Sequence, residues 1–376
     1  MPFILKFRFI TQEMPNQLRL KSMKTPYFPW PSKPPKNIIV RMPNWIGDAV
    51  MATPLLTDLK RQWKEAKITV ICQTPIDSVL QNHPDINSIY AFKRPKSWLN
   101  KFHHYEVIDF LQKGQYDLGL LLTNSFSSAW WFLKGKVQNR LGFADGFRSL
   151  LLNKAIPFPK NKEFQHQVIT YKTLLGPLAI PVSSTPPQLY VSTQELQEAH
   201  HFLHRCGIDL QKNILVGINP GAAYGSAKCW PPERFNKLTK KLLENPNIFV
   251  IYFGDSNGVS VVNQICQDLP NRAINLAGRT SIRELIALLK CCSIFLTNDS
   301  GPMHIAAALG VRLLALFGST NEIKTGPYPQ GLVIHKHVEC SPCYKRVCPI
   351  DFRCMTKIKV EEVYEQLERL LKENSC

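Results

Sequence analysis

Short apolar runs recur along the chain, each closed by a polar or glycine-bearing turn. A longer stretch with apolar residues at helical spacing usually follows. In the first half the runs are NIIVRM (37–42), KITVIC (67–72), residues 88–92, YDLGLLLT (116–123) and residues 137–141. In the second they are NILVGIN (213–219), IFVIYFG (248–254), SIFLTN (293–298) and VRLLALFG (311–318). These runs are apolar on both faces, as strands of a parallel sheet covered by helices on each side must be. Between them, helical patterns are read over 49–64, with apolar residues at Val50, Leu55, Leu59 and Trp63, and over 232–243, 259–268, 281–290 and 359–372. The Pro- and Ser-rich stretch LAIPVSSTPPQ (178–188) separates the two series and reads as a linker. The pattern predicts an α/β chain of two Rossmann-like domains, 37–183 and 184–376, with parallel sheets facing across a cleft. Residues 1–36 are rich in Pro and Lys, lack periodicity and read as a poorly ordered basic extension.

Ligand sites in such sheets lie beyond the carboxyl ends of the strands. Three turns there carry the polar residues. The first, Asn44–Asp48, includes Trp45 and follows the first strand. Asp48 can be a general base on an attacking hydroxyl, or simply the N-cap of the helix read from residue 49. The second, Asn219–Trp230, brings Gly221, Ala222 and Ala223, small residues that let backbone N–H groups approach a ligand, together with Lys228. The third runs Asn298–His304. Ser300 is placed as N-cap, Pro302 in the first turn and Gly310 at the stop of a helix whose N-terminus, with Gly301, attracts anions such as phosphate. Asp299 can accept from sugar hydroxyls and His304 can donate to phosphate. Asp255, just after 248–254, can accept from a ribose or adenine.

Absences narrow the chemistry. No P-loop ending is present, and no GxGxxG follows an opening strand, which disfavours a dinucleotide-dependent oxidoreductase. No Asp-x-Asp occurs, so a diphosphate would be held by a helix start, Lys228 and His304 rather than through a metal.

The net charge of +18 is uneven: residues 1–185 hold 25 Lys+Arg against 11 Asp+Glu, and residues 186–376 hold 21 against 17. The first half therefore faces an anionic partner. No nucleic-acid signature accompanies it, so nucleic acid is not expected. Arg94, Lys96, Lys136, Arg140 and Arg148 are the candidate contacts. The N-terminus lacks a signal-peptide pattern and no run reaches the roughly 18 apolar residues of a membrane span, so a cytoplasmic location is expected. Four of eleven cysteines, Cys340, Cys343, Cys348 and Cys354, form C-x2-C-x4-C-x5-C, readable as a structural metal site or as free thiols.

Four segments taken together, RMPNWIGDAVMATPLL (41–56), NPGAAYGSAKCWPPERF (219–235), LAGRTSIRELIALL (276–289) and TNDSGPMHIAAALGV (297–311), resemble glycosyltransferase family 9, the heptosyltransferases, and most closely their lipopolysaccharide heptosyltransferase II type. The resemblance covers the chain from about residue 37 onward. It implies a GT-B fold and an inverting, metal-independent transfer of heptose from ADP-heptose to a lipid A–core acceptor, with no cofactor, at the inner face of the inner membrane. It implies Asp48 as general base, Lys228 on the donor diphosphate, Asp299 on the heptose, and Ser300, Gly301 and His304 around the diphosphate. Gly221, Ala222, Ala223 and Asp255 complete the donor side. Asn44, Trp45, Arg94 and Arg140 are expected on the acceptor side. Other members carry hydroxyl residues where this chain has Ala222 and Ala223, so backbone N–H groups must serve there. Two rival readings remain: a nucleotide-sugar 2-epimerase on a similar scaffold, and a non-catalytic nucleotide-sugar-binding protein. Acceptor-dependent ADP release separates them.

Overall fold

A computed structural model describes residues 30–93 and 104–372. The first sheet contains β1 (Asn37–Arg41), β2 (Lys67–Gln73), β3 (Ser88–Phe92), β4 (Leu118–Leu121), β5 (Asn139–Phe143) and β6 (Lys154–Ile156), in the order β3-β2-β1-β4-β5-β6. The second contains β7 (Ile214–Asn219), β8 (Ile248–Tyr252), β9 (Ala273–Asn275), β10 (Ile294–Asn298), β11 (Leu313–Phe317) and β12 (Leu332–His335), in the order β12-β11-β10-β7-β8-β9. Every pairing is parallel. The strand order reverses between β1 and β4 and again between β7 and β10. Those reversals open crevices at the carboxyl ends, where the turns after β1, β7 and β10 sit. The short edge strands β6, β9 and β12 were not among the expected runs.

The helices that matter below are α1 (Ile46–Gln62), α2 (Phe126–Lys134), α3 (Gln167–Thr173), α4 (Thr193–Arg205), α5 (Ile282–Cys291), α6 (Gly301–Ala308) and α7 (Val360–Lys372). Two of them begin with full capping boxes, Ser192 with Glu195 and Ser281 with Glu284. Each box satisfies two backbone N–H groups that the helix leaves open. α7 buries Val363, Leu367 and Leu370 in the core of the second domain.

The domains meet along α1 and α6, which pack together. Val50 of α1 and Val79 join the core that α5 and α6 build in the second domain. Arg283 of α5 holds both carboxylate oxygens of Glu195, at 2.6 and 2.7 Å, and donates to Ser78 O of the first domain at 3.2 Å. Those hydrogen bonds hold the Glu195 carboxyl down at about 2.

Past Leu178, the last residue of a 3-10 turn, the Pro- and Ser-rich stretch has no regular structure, yet it is tied down. Buried Lys172 donates to Ser183 O and Thr185 O, and buried Asp58 accepts from the Ser183 and Thr185 hydroxyls. Gln188 N then donates to Thr53 Oγ1 of the first domain, and Leu189 N to Ala308 O of the second, at 3.2 and 3.4 Å. Residues 1–29 lie outside the described residues. Trp30 packs, partly buried, on the core of the first domain.

Candidate active site at the domain junction

The turn after β1 delivers Asp48. The N-cap of α1 is Trp45, in extended backbone with no side-chain cap, so Asp48 is the third helical residue and not the N-cap. Its side chain is thereby free to face the opposite domain. Tyr171 of α3 donates to Asp48 Oδ1 at 3.3 Å. Burial raises the Asp48 pKa; the Tyr171 hydroxyl and the facing Lys228 pull it back, Asp299 pushes it up again, and Lys324 lowers it. Asp48 therefore belongs to one electrostatic cluster with the corner of the second domain. A carboxylate lifted by burial is a better proton acceptor than one in water.

That corner is built at the β7/β10 reversal. Asn298 ties its two turns together: its Nδ2 donates to Pro220 O and its Oδ1 accepts from Trp230 N. Buried Asp299 is gripped by the Lys228 ammonium and by the Thr320 hydroxyl. Ser300 is the N-cap of α6 by position, but its hydroxyl turns away to Thr297 and Asn219. No side chain caps α6, so its first N–H groups stay available to an anion. Pro302 lies in the first turn and Gly310, at φ +73°, follows the helix, both as expected.

His304, expected as a donor to phosphate, lies in the first turn of α6. It is buried, and burial holds its pKa at about 4. It is neutral near pH 7, can donate one hydrogen bond, and supplies no positive charge. Its ring packs on the start of α1: a Cβ on Gly47 would lie 2.5 Å from His304 Cδ2. The two first turns thus meet because residue 47 lacks a side chain.

Beside this corner lies a cavity of about 820 Å³. One wall is Gly221, Ala222 and Trp230, another Asp255 and Val261. Asp255 lines it, while its Oδ1 accepts from Asn257 N and Gly258 N and shapes the turn. The third wall, Val347, Cys348, Ile350 and Phe352, comes from the cysteine-bearing segment. The same segment clamps the lysine turn. Arg346 O accepts from Ala227 N at 3.0 Å, Tyr344 O accepts from the Tyr224 hydroxyl at 2.8 Å, and Lys228 lies over the Tyr224 ring. Gly225, at φ +156°, is required there, since a Cβ would fall 2.2 Å from Arg346 O.

The four cysteines of this segment are unpaired thiols. Burial, then the three neighbouring thiols, push Cys354 up to about 11. Among the described residues, the group with three metal-ligand atoms within 4.8 Å of one another is Glu322, His335 and His337. His335 already binds Glu322 through Nδ1 and Ser341 through Nε2.

The expected acceptor residues separate. Asn44 and exposed Trp45 sit at the cleft mouth, with Asn44 Oδ1 held by buried Arg41 at 2.6 Å. Arg140 stands at the amino end of β5, away from the carboxyl-end turns, and donates to the carbonyls of Val137 and Leu151. Arg148 is buried on Phe143 O and Asn124. Arg94 and Lys96 lie outside the described residues. Sequence reading missed Tyr171, Thr320 and Arg41. Each sits in an otherwise ordinary local pattern, with no signal to mark it.

Two facing parallel sheets of Rossmann type, with the reactive groups at their junction, define the GT-B class of glycosyltransferases. The sequence profile of glycosyltransferase family 9 (heptosyltransferase) matches residues 105–352. The chain belongs to that family and is a glycosyltransferase. It is 29% identical over 344 residues to lipooligosaccharide heptosyltransferase 2 of Campylobacter jejuni subsp. jejuni serotype O:2, covering 89% of this chain and 98% of the relative. It is 28% identical to lipopolysaccharide heptosyltransferase 2 of Escherichia coli K12, covering 77% and 85%. The structure of E. coli ADP-heptose lipopolysaccharide heptosyltransferase II superposes with a TM-score of 0.74 at 26% identity, over 90% of this chain and all of that one. A family 9 glycosyltransferase from Veillonella parvula shares the fold, with a TM-score of 0.80 at 22% identity over 90% and 97%. No helix among the described residues is long and apolar enough to cross a membrane.

Proposed function

We propose that this enzyme transfers heptose, with inversion, from ADP-heptose to the inner core of a lipopolysaccharide acceptor at the cytoplasmic membrane surface. The observation that carries the reading is Asp48, lifted by burial and facing Lys228 and Asp299 across the domain junction. The nucleoside occupies the cavity between the Gly221 turn and Asp255. The diphosphate lies at the open start of α6 beside Lys228, which places the anomeric carbon towards Asp48. Asp48 takes the proton of the acceptor hydroxyl as its oxygen bonds to the anomeric carbon. The bond to the ADP oxygen breaks on the opposite face, and Lys228 with the α6 N–H groups stabilises the charge that develops. Asp299 orients Lys228 and is within reach of the sugar.

The test is ADP release from ADP-heptose with and without a heptose-deficient core acceptor. Release that depends on acceptor and persists in a chelator supports the reading. Near-normal turnover by Asp48→Ala overturns the base assignment, and sugar conversion without ADP release overturns the reaction.

A further inference from the structure

The structure carries an apolar and basic face on the first domain that the reaction does not use. The turn after β5 is a 3-10 helix, Gly146–Leu151. Residues three apart in such a helix eclipse one another, so Phe147 and Leu150 point the same way. Each is 83% exposed. Between them Arg148 points inward and pins the turn, its guanidinium donating to Phe143 O at 2.8 Å. The exposure of the two side chains is thus built into the turn.

The turn packs against α2. On α2, Phe126 stacks on Trp130, and Lys134 lies 4.7 Å above the Trp130 ring. These three residues are spaced by four along one helix face. The surroundings are basic: residues 124–163 contain seven Lys+Arg against Asp145 and Glu163. Lys134, Lys136, Lys154, Lys160 and Lys162 are all exposed. Phe126 and Phe147 follow the carboxyl ends of β4 and β5, the same rim of the sheet from which β1 delivers Trp45 and Asp48.

We propose that Phe147 and Leu150, with the aromatic face of α2, insert into the headgroup region of an anionic lipid bilayer while the surrounding lysines pair with its phosphates. Large apolar side chains ringed by lysine match such an interface in both chemistry and charge. Seated this way, the domain presents the mouth holding Trp45 and Asp48 to molecules anchored in the same bilayer. The proposal extends the reading above, in which the acceptor is lipid-anchored. It is tested without either substrate, so the two can fail separately.

The full chain is sedimented with vesicles of phosphatidylcholine alone and of phosphatidylcholine with phosphatidylglycerol. Binding is expected with the anionic vesicles and is expected to weaken as salt rises. Phe147→Ser/Leu150→Ser is expected to bind them roughly tenfold or more weakly, because two apolar insertions are lost. Its thermal melt should be unchanged, since both residues are exposed. Equal vesicle binding by the double variant, or no binding by the parent, overturns the proposal. A parent that is dimeric in solution and becomes monomeric on the double substitution also overturns it, by showing that the face is covered by a second copy.

Discussion

Lys228 Nζ lies 2.5 Å from Asp299 Oδ2, and the Thr320 hydroxyl donates to that same oxygen at 2.6 Å. The lysine that faces Asp48 is therefore positioned by a carboxylate of its own domain. Lys228→Ala leaves a buried carboxylate with only Thr320. It is expected to cost about 1–3 kcal/mol of stability, less than a fully buried pair because the lysine side chain retains some solvent contact. Turnover should fall by about 10²-fold from lost leaving-group stabilisation. Denaturant titration with an unchanged slope, alongside steady-state kinetics, separates the two effects.

In the proposed mechanism Tyr171 tunes the range over which Asp48 can accept a proton, since its hydrogen bond lowers the Asp48 pKa. A raised carboxyl pKa means that the base form is lost at a higher pH than for an ordinary aspartate, so the acid limb of kcat/KM should lie above the usual carboxylate range. The Tyr171 hydroxyl lowers this pKa. Tyr171→Phe should accordingly move the acid limb to higher pH, with little loss of rate on the plateau. An unmoved limb would show that another group titrates there.

His166 joins the domains through its ring. Its Nδ1 accepts from Val168 N, so Nε2 carries the hydrogen and donates to Gly326 O of the second domain at 3.0 Å. Burial holds this histidine at about 4, below the 6.5 of an unfolded chain. The folded state binds fewer protons between those values, so stability is complete above about pH 6.5 and is lost as pH falls towards 4. The loss amounts to at most about 3 kcal/mol from this residue. His166→Asn should flatten the pH dependence of the denaturation midpoint in that window.

Gly225 is held against a backbone oxygen that has no room to yield. Gly225→Ala should break the Ala227–Arg346 hydrogen bond and displace the turn that carries Lys228. The expected result is a KM for donor raised about tenfold or more, from loss of an interaction worth 1.4 kcal/mol or above. Titration calorimetry with ADP measures it directly.

Much of the architecture was legible because its central strands are uninterrupted apolar runs; residues 293–298, for example, contain β10, buried along its whole length. The edge strands β6, β9 and β12 escaped notice because three or four residues, such as KAI in β6, carry no period to read. The start of α1 was placed three residues late because Trp45 caps the helix with backbone alone. That error made Asp48 resemble a cap. The three strand-end turns were recognisable from their glycines and polar clusters. The neutrality of His304 was not, since burial by α1 comes from the other domain. Tyr171 and Thr320 reach the site from distant stretches of chain, and Arg140 spends its guanidinium on carbonyls that only the folded turn presents.

The handover at Gln188 and Leu189 has a mechanical consequence. One amide is moored to Thr53 and the next to Ala308, so the covalent crossing between the two bodies is a single peptide unit. Any relative rotation of the halves must turn about that point, with little slack to absorb it. Lengthening the chain there by a few glycines would leave the α1/α6 contact and the Arg283 bridge alone to hold the halves in register, and would measure how much of that register the covalent crossing supplies.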